Sequence, residues 1–127
     1  MLGAGVAAAA AGIGFTRPAL AAADPENLIT YIARIEIAEG RMDEAIEFNS
    51  TLAKHVEQVE PGTLAYAYHT VEDEPNQILI FEVYDGVEGQ KAHDPVKRIE
   101  EAGLKSGAEL FIGMKVSKLQ RVCGFIR

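Results

Sequence analysis

The sequence predicts an α+β fold: one antiparallel sheet of four strands with two helices on one face, in the order β-α-β-β-α-β. Three observations carry this. Leu28 to Glu39 alternates, with Ile29, Tyr31, Ala33, Ile35 and Ile37 on one side, which is the period of a half-buried strand. Arg41 to Val59 shifts to helical spacing, with Met42, Ala45, Ile46, Asn49, Leu52, Ala53 and Val56 recurring at i, i+3, i+4 intervals. Glu60 to Asp85 then reads as two strands joined by an acidic turn, a hairpin.

The chain has 127 residues, a length suited to one domain. Its hydrophobic content of 48% and charged content of 24% are those of a globular protein. A formal net charge of -7 repels phosphate backbones and anionic membrane surfaces, so nucleic acid and membrane insertion of the mature chain are not expected. The single cysteine, Cys123, excludes an internal disulfide and reads as a small apolar residue of the last strand.

Residues 1–23 differ from the rest. Leu2 to Phe15 is uncharged and mostly Ala and Gly, too short to span a bilayer, which needs about 18 to 20 residues. With the small residues of Ala19 to Ala23 it suits a secretory leader, and Arg17 before that site suits the twin-arginine class. A positively charged start is missing, so residues 1–23 read as the later part of such a signal and residues 24–127 as the domain. Export to the periplasm or beyond is then expected; a cytoplasmic protein with an Ala/Gly tail is the other reading.

Within 24–127, Asp24 to Asn27 is a polar lead-in to the first strand. Gly40 separates that strand from the helix, and Asp43 and Glu44 lie in its first turn, where the helix dipole favours acid. Asn49 interrupts the apolar stripe. A buried amide without a partner is costly, so it bonds either to a backbone group or to something in a pocket. Pro61-Gly62 stops the helix, and Thr63 to Val71 follows with Leu64, Tyr66, Tyr68 and Thr70 on one face. The two tyrosines form an apolar wall with hydroxyl tips, in the core or in a site.

Asp73 to Asn76 has turn chemistry, and Gln77 to Tyr84 is almost wholly apolar, a strand to be covered on both faces. Val87 to His93 suits two helical turns. Asp94-Pro95 then restarts a helix to about Ser106, with Val96, Ile99, Ala102 and Gly103 inward. His93 thus lies at a helix break, positioned either to cap on the surface or to enter a pocket. A loop around Glu109 to Ile112 leads into a last strand over Met114 to Arg127.

This order is the ferredoxin-like split pattern. The apolar second face of the sheet has nothing left in the chain to cover it, so a second copy of the chain is expected there, closing two sheets into a dimeric α/β barrel.

The segment from Glu60 to Pro95 resembles the antibiotic biosynthesis monooxygenase domain. The matching features are Pro61-Gly62, Leu64, Tyr66, the acidic turn Asp73 to Asn76, the apolar strand Ile78 to Tyr84, Glu88 and Ala92-His93. The likeness extends from about Leu28 to Phe125. It implies a homodimer and a cofactor-independent monooxygenase acting on a small aromatic quinol or phenol with oxygen, without metal or organic cofactor. His93 would be the base or proton shuttle, Asn49 an amide donor to the substrate oxygen, and Tyr66, Tyr68 and Tyr84 would bind and orient the substrate. Tyr84 stands where many members carry Trp, and the chain has no Trp. The haem-degrading branch relies on that Trp, so haem is not expected. Other readings are a non-catalytic dimeric module holding a small apolar ligand, and a subunit packed on a neighbouring protein.

The leader assignment predicts an Arg pair in the codons upstream of Met1 and a mature N-terminus after Ala21 or Ala23 by intact-mass measurement. Absence of the Arg pair would overturn the twin-arginine assignment.

Overall fold

The computed structural model describes residues 25–127. A 3-10 turn at Pro25–Asn27 leads into β1 (Leu28–Ile37), followed by α1 (Met42–Val59), β2 (Thr63–Val71), β3 (Glu74–Asp85), α2 (Gly86–Ala92), α3 (Pro95–Glu101), a 3-10 turn at Gly107–Glu109 and β4 (Phe111–Leu119). The leader assigned to residues 1–23 lies outside the described residues.

The four strands form one sheet in the order β2-β3-β1-β4, and every neighbouring pair is antiparallel. This is the ferredoxin-like arrangement the element order predicts, with the second helical region divided in two at Asp94-Pro95. Because paired residues in a sheet point the same way, the register defines rows across it. Tyr66, Glu82, Tyr31 and Lys118 make one row, and Tyr68, Ile80, Ala33 and Val116 the next. These rows face the helices. Ala33, Ile35, Ile37, Ile78 and Ile80 pack under α1 with Ala45, while Phe48, Leu52 and Val56 continue the core toward Leu110. On the opposite face Val83 is buried, whereas Ile32, Leu79 and Phe81 are half-buried.

Several boundaries depart from the sequence expectation. The core face of α1 is rotated toward β4: Phe48 is buried against Phe111, and Ile46, expected inside, is exposed. The hairpin turn is Glu72-Asp73 rather than Asp73 to Asn76. Asp73 takes the left-handed φ of 67° that a tight turn needs, so β3 starts at Glu74. Pro75 is tolerated because it lies at a break in the β2 ladder and beyond β1's pairing, which starts at Gln77.

Helix α3 ends at Glu101, short of Ser106. Gly103 has φ 71°, its N–H bonds the Glu100 carbonyl, and Leu104 N–H bonds that of Ile99; this helix stop needs a left-handed residue. Val96 is exposed, contrary to the inward placement expected of it. The last strand is Phe111–Leu119, not Met114 to Arg127. Its ladder with β1 ends at the Leu119–Thr30 pair, so Cys123 is an exposed residue past the strand rather than part of it.

One contact fixes α2 against the start of β2. A Cβ on Gly89 would lie 2.7 Å from the Gly62 carbonyl oxygen, and one on Gly62 would lie 2.8 Å from the Gly89 Cα. Two backbones meet here with no room for a side chain, and the Gly62 carbonyl accepts from Asp85 N–H at 2.8 Å. Gly89→Ala is therefore expected to lower stability by about 1–3 kcal/mol in urea titration, because backbone on both sides must move. An unchanged midpoint would show that the contact is slack.

Candidate active site

Helix α1, the short helices α2 and α3, and the sheet enclose a cleft of about 370 Å³. The five residues singled out from the sequence, Asn49, Tyr66, Tyr68, Tyr84 and His93, all line it.

His93 is the C-cap residue of α2; its backbone N–H bonds the Gln90 carbonyl. The break at Asp94-Pro95 stops α2 there, and the His93 side chain turns inward, with only 8% of it exposed. Its Nδ1 lies 2.8 Å from Glu60 Oε1. Glu60 is itself buried and also accepts from Thr63 Oγ1 at 3.1 Å and from Arg98 Nε at 3.0 Å. A carboxylate with those donors accepts, so the proton belongs on His93 Nδ1 by hydrogen-bond assignment. Nε2 is then the lone-pair nitrogen. It is buried without a hydrogen-bond partner, 3.8 Å from Glu82 Oε1. The Tyr66 and Tyr84 rings flank the imidazole at centroid distances of 5.0 and 5.3 Å.

Asn49 comes from the middle of α1 and is 4% exposed. Its Nδ2 is the other buried side-chain polar atom without a hydrogen-bond partner among the described residues. A buried unsatisfied donor costs about 1–3 kcal/mol, and native structures rarely retain one without a use. The tie from Nδ2 to a backbone group, one of the alternatives raised by the sequence, is not made.

Tyr68 donates to Tyr66 at 2.7 Å, which leaves Tyr66 its own hydroxyl proton to give. Tyr84 donates to Glu82 at 2.9 Å. Burial pushes the Tyr66 phenol up to about 12 and raises those of Tyr68 and Tyr84 further, the latter also through the Glu82 charge. All three are neutral donors at physiological pH. Burial likewise raises the Glu82 carboxyl above its ordinary value, against the lowering effects of the Tyr84 hydrogen bond and His93.

Glu60, Glu82 and Arg98 were not singled out from the sequence. Glu82 carried a signal: it is the one charge in the run from Ile78 to Tyr84, two residues from Tyr84 and so on its face. Glu60 and Arg98 carried none, because their pairing spans 38 residues. Arg98 also donates to Glu101 at 3.0 Å and to the Ala92 carbonyl at 3.1 Å, and Glu101 reaches His55 at 2.9 Å.

Fold and cleft together define a ferredoxin-like α+β protein with a buried, aromatic-walled site. The antibiotic biosynthesis monooxygenase family matches residues 28–94, more than half of the chain, and the protein belongs to that family. No curated protein matches it significantly. Among solved structures, a Pseudomonas aeruginosa protein is similar with a TM-score of 0.65 at 19% identity, over 79% of this chain and 99% of its own. A candidate antibiotic biosynthesis monooxygenase from Bacteroides thetaiotaomicron gives 0.61 at 22%, over 82% and 98%. Another from Caulobacter crescentus gives 0.63 at 21%, over 76% and 91%. At these identities the likeness is one of fold.

The raised Glu82 carboxyl gives a pH test with a definite sign. The folded chain holds that proton more tightly than the unfolded chain, so this group's contribution to stability is full below the ordinary value of 4.5 and is lost as pH rises through the raised one. Urea titrations of wild type and Glu82→Gln between about pH 4 and pH 8 are expected to converge or cross in favour of the variant as pH rises. A pH-independent difference would count against the raised value.

Proposed function

We propose that the protein is a cofactor-independent monooxygenase for a small phenol or hydroquinone. The observation that carries this is the pair of unpartnered atoms, Asn49 Nδ2 and His93 Nε2, on residues lining one aromatic-walled cleft. An electron-rich phenol needs a base to become reactive toward oxygen, donors for its developing oxyanion, and little water. His93 Nε2 takes the phenol proton while Glu60 holds the imidazole by Nδ1. Asn49 and the free proton of Tyr66 stabilise the phenolate oxygen.

For a phenol unsubstituted at the para carbon, that carbon bonds to dioxygen and the distal oxygen takes up the first proton as a hydroperoxide. Loss of the ring proton breaks the O–O bond and releases water. The sum is phenol plus O₂ giving quinone plus water; the substrate gives up four electrons and both oxygen atoms are accounted for. Among the described residues, two carboxylates and no cation other than the paired Arg98 border the base, which favours a neutral substrate over an anionic one.

A homodimer belongs to the same reading. The half-buried Ile32, Leu79 and Phe81 on the far face of the sheet suit a second copy of the chain. Export remains a proposal resting on residues 1–23.

Oxygen uptake with a panel of phenols and hydroquinones tests the reading. His93→Ala and Asn49→Ala are each expected to lower kcat/KM by about 10²-fold or more. Glu60→Gln, which acts through His93, is expected to lower kcat and shift the pH profile while leaving KM nearly unchanged. Unaltered turnover in His93→Ala would remove it as the base. Phenol binding without oxygen uptake would make the protein a binding module.

A further inference from the structure

The cleft is not uniform, and its two ends differ by strand. Across the sheet, β2 and β3 contribute the hydroxyls of Tyr66, Tyr68 and Tyr84 and the carboxyl of Glu82, and the unpartnered atoms of Asn49 and His93 complete this polar half. Beyond them β1 contributes Tyr31, in the Glu82 row, and then Ala33 and Ile35, and β4 contributes Val116 and Met114 opposite those last two. Neighbouring strands are separated by about 4.8 Å, so the floor runs about 14 Å from the hydroxyls of β2 to the apolar side chains of β4. At that far end Met114 is 63% exposed and Val116 is 53% exposed, although both line the cleft. In the polar half Asn49, Glu82, Tyr84 and the His93 side chain are buried and Tyr66 and Tyr68 half-buried, whereas the apolar end at β4 is exposed.

Volume points the same way. A dry cavity of about 150 Å³ accepts benzene, and this cleft holds about 370 Å³. A single hydroxylated ring seated on Asn49 and His93 therefore leaves more than half of the space unfilled. The unfilled part is the strip over β1 and β4, where Ala33 pairs with Val116 and Ile35 with Met114. Met114, unbranched and flexible, suits a surface that must fit a chain rather than a fixed shape.

Resting on the assignment of a phenol or hydroquinone substrate, we propose that this substrate carries an apolar side chain of several carbons. Its hydroxylated ring lies over β2 and β3, and the chain crosses β1 and leaves between Val116 and Met114. The polar contacts fix the ring end, and the tail supplies affinity without adding polar requirements. Ring-first binding also follows from the openness of the β4 end, since the side chain can remain partly in the mouth while the ring reaches His93.

Calorimetric titration under nitrogen, which prevents turnover, with phenol and its 3-propyl, 3-pentyl and 3-heptyl derivatives tests this. Wild-type affinity is expected to rise about two- to fourfold per methylene, levelling as the chain passes the edge of β4. Val116→Asp is expected to reduce the ratio of heptylphenol to phenol affinity by about tenfold or more. Met114→Lys, at a still more exposed position, reads the same ratio if the first variant fails to fold. Phenol binding with no dependence on chain length would overturn the tail subsite and leave the phenol assignment standing. A chain-length dependence unchanged in both variants would also overturn it, because the tail would then lie elsewhere. If no member of the series binds, phenol included, the phenol assignment itself fails and the subsite with it.

Discussion

The site depends on one buried carboxylate. Glu60 ends α1 with 1% of its side chain exposed and receives donors from three elements: Thr63 at the start of β2, His93 at the end of α2 and Arg98 in α3. An ion so placed costs several kcal/mol to desolvate, and only close, complete hydrogen bonding offsets that. The offset is present here, because both oxygens are engaged. The same bonds that make the charge tolerable also hold α2 and α3 over the sheet and choose the ring nitrogen that His93 presents to the cleft.

Helix α1 does two things at different depths. Ala45, Phe48, Leu52 and Val56 supply the apolar contact that seats it on the sheet, and Asn49 stands among them with an uncompensated amide. The apolar neighbours raise the cost of leaving that amide bare. The tyrosines meet a related constraint differently. Tyr68 and Tyr84 satisfy their hydroxyl protons within the protein, whereas Tyr66 accepts a bond and keeps its proton. Asn49 and Tyr66 are thus donors held in place by groups that have no competing claim on them.

Much of this was legible in the sequence where periodicity or local chemistry reports it. Alternation revealed β1 and the helix-facing tyrosines, and the intrusion of Asn49 into an apolar stripe marked a polar residue needing a partner. The Asp94-Pro95 break placed His93 correctly in the chain but left its direction open, because the bond that turns it inward comes from Glu60, 33 residues earlier. The same limit applies to Arg98. Strand ends were misjudged for a related reason: the β4 ladder ends at the Leu119–Thr30 pair, and the composition of Gln120 to Arg127 does not mark that end. The rotation of α1 toward Phe48 follows from Phe111 across the core, which helical spacing alone does not report.

The division of the second helical region into α2 and α3 has a kinetic consequence. Arg98 spans the break, donating to the Ala92 carbonyl on one side while bound to Glu60 below and Glu101 beside it, and Glu101 continues to His55 on α1. The two short helices are therefore tied as one lid segment rather than two. Lifting α3 alone breaks the Arg98 contacts together and leaves Glu60 a buried charge with fewer donors, a state far costlier than the loss of any single bond. The contacts that hold this roof therefore act together, and the exposed end of the cleft lies away from them, at β4.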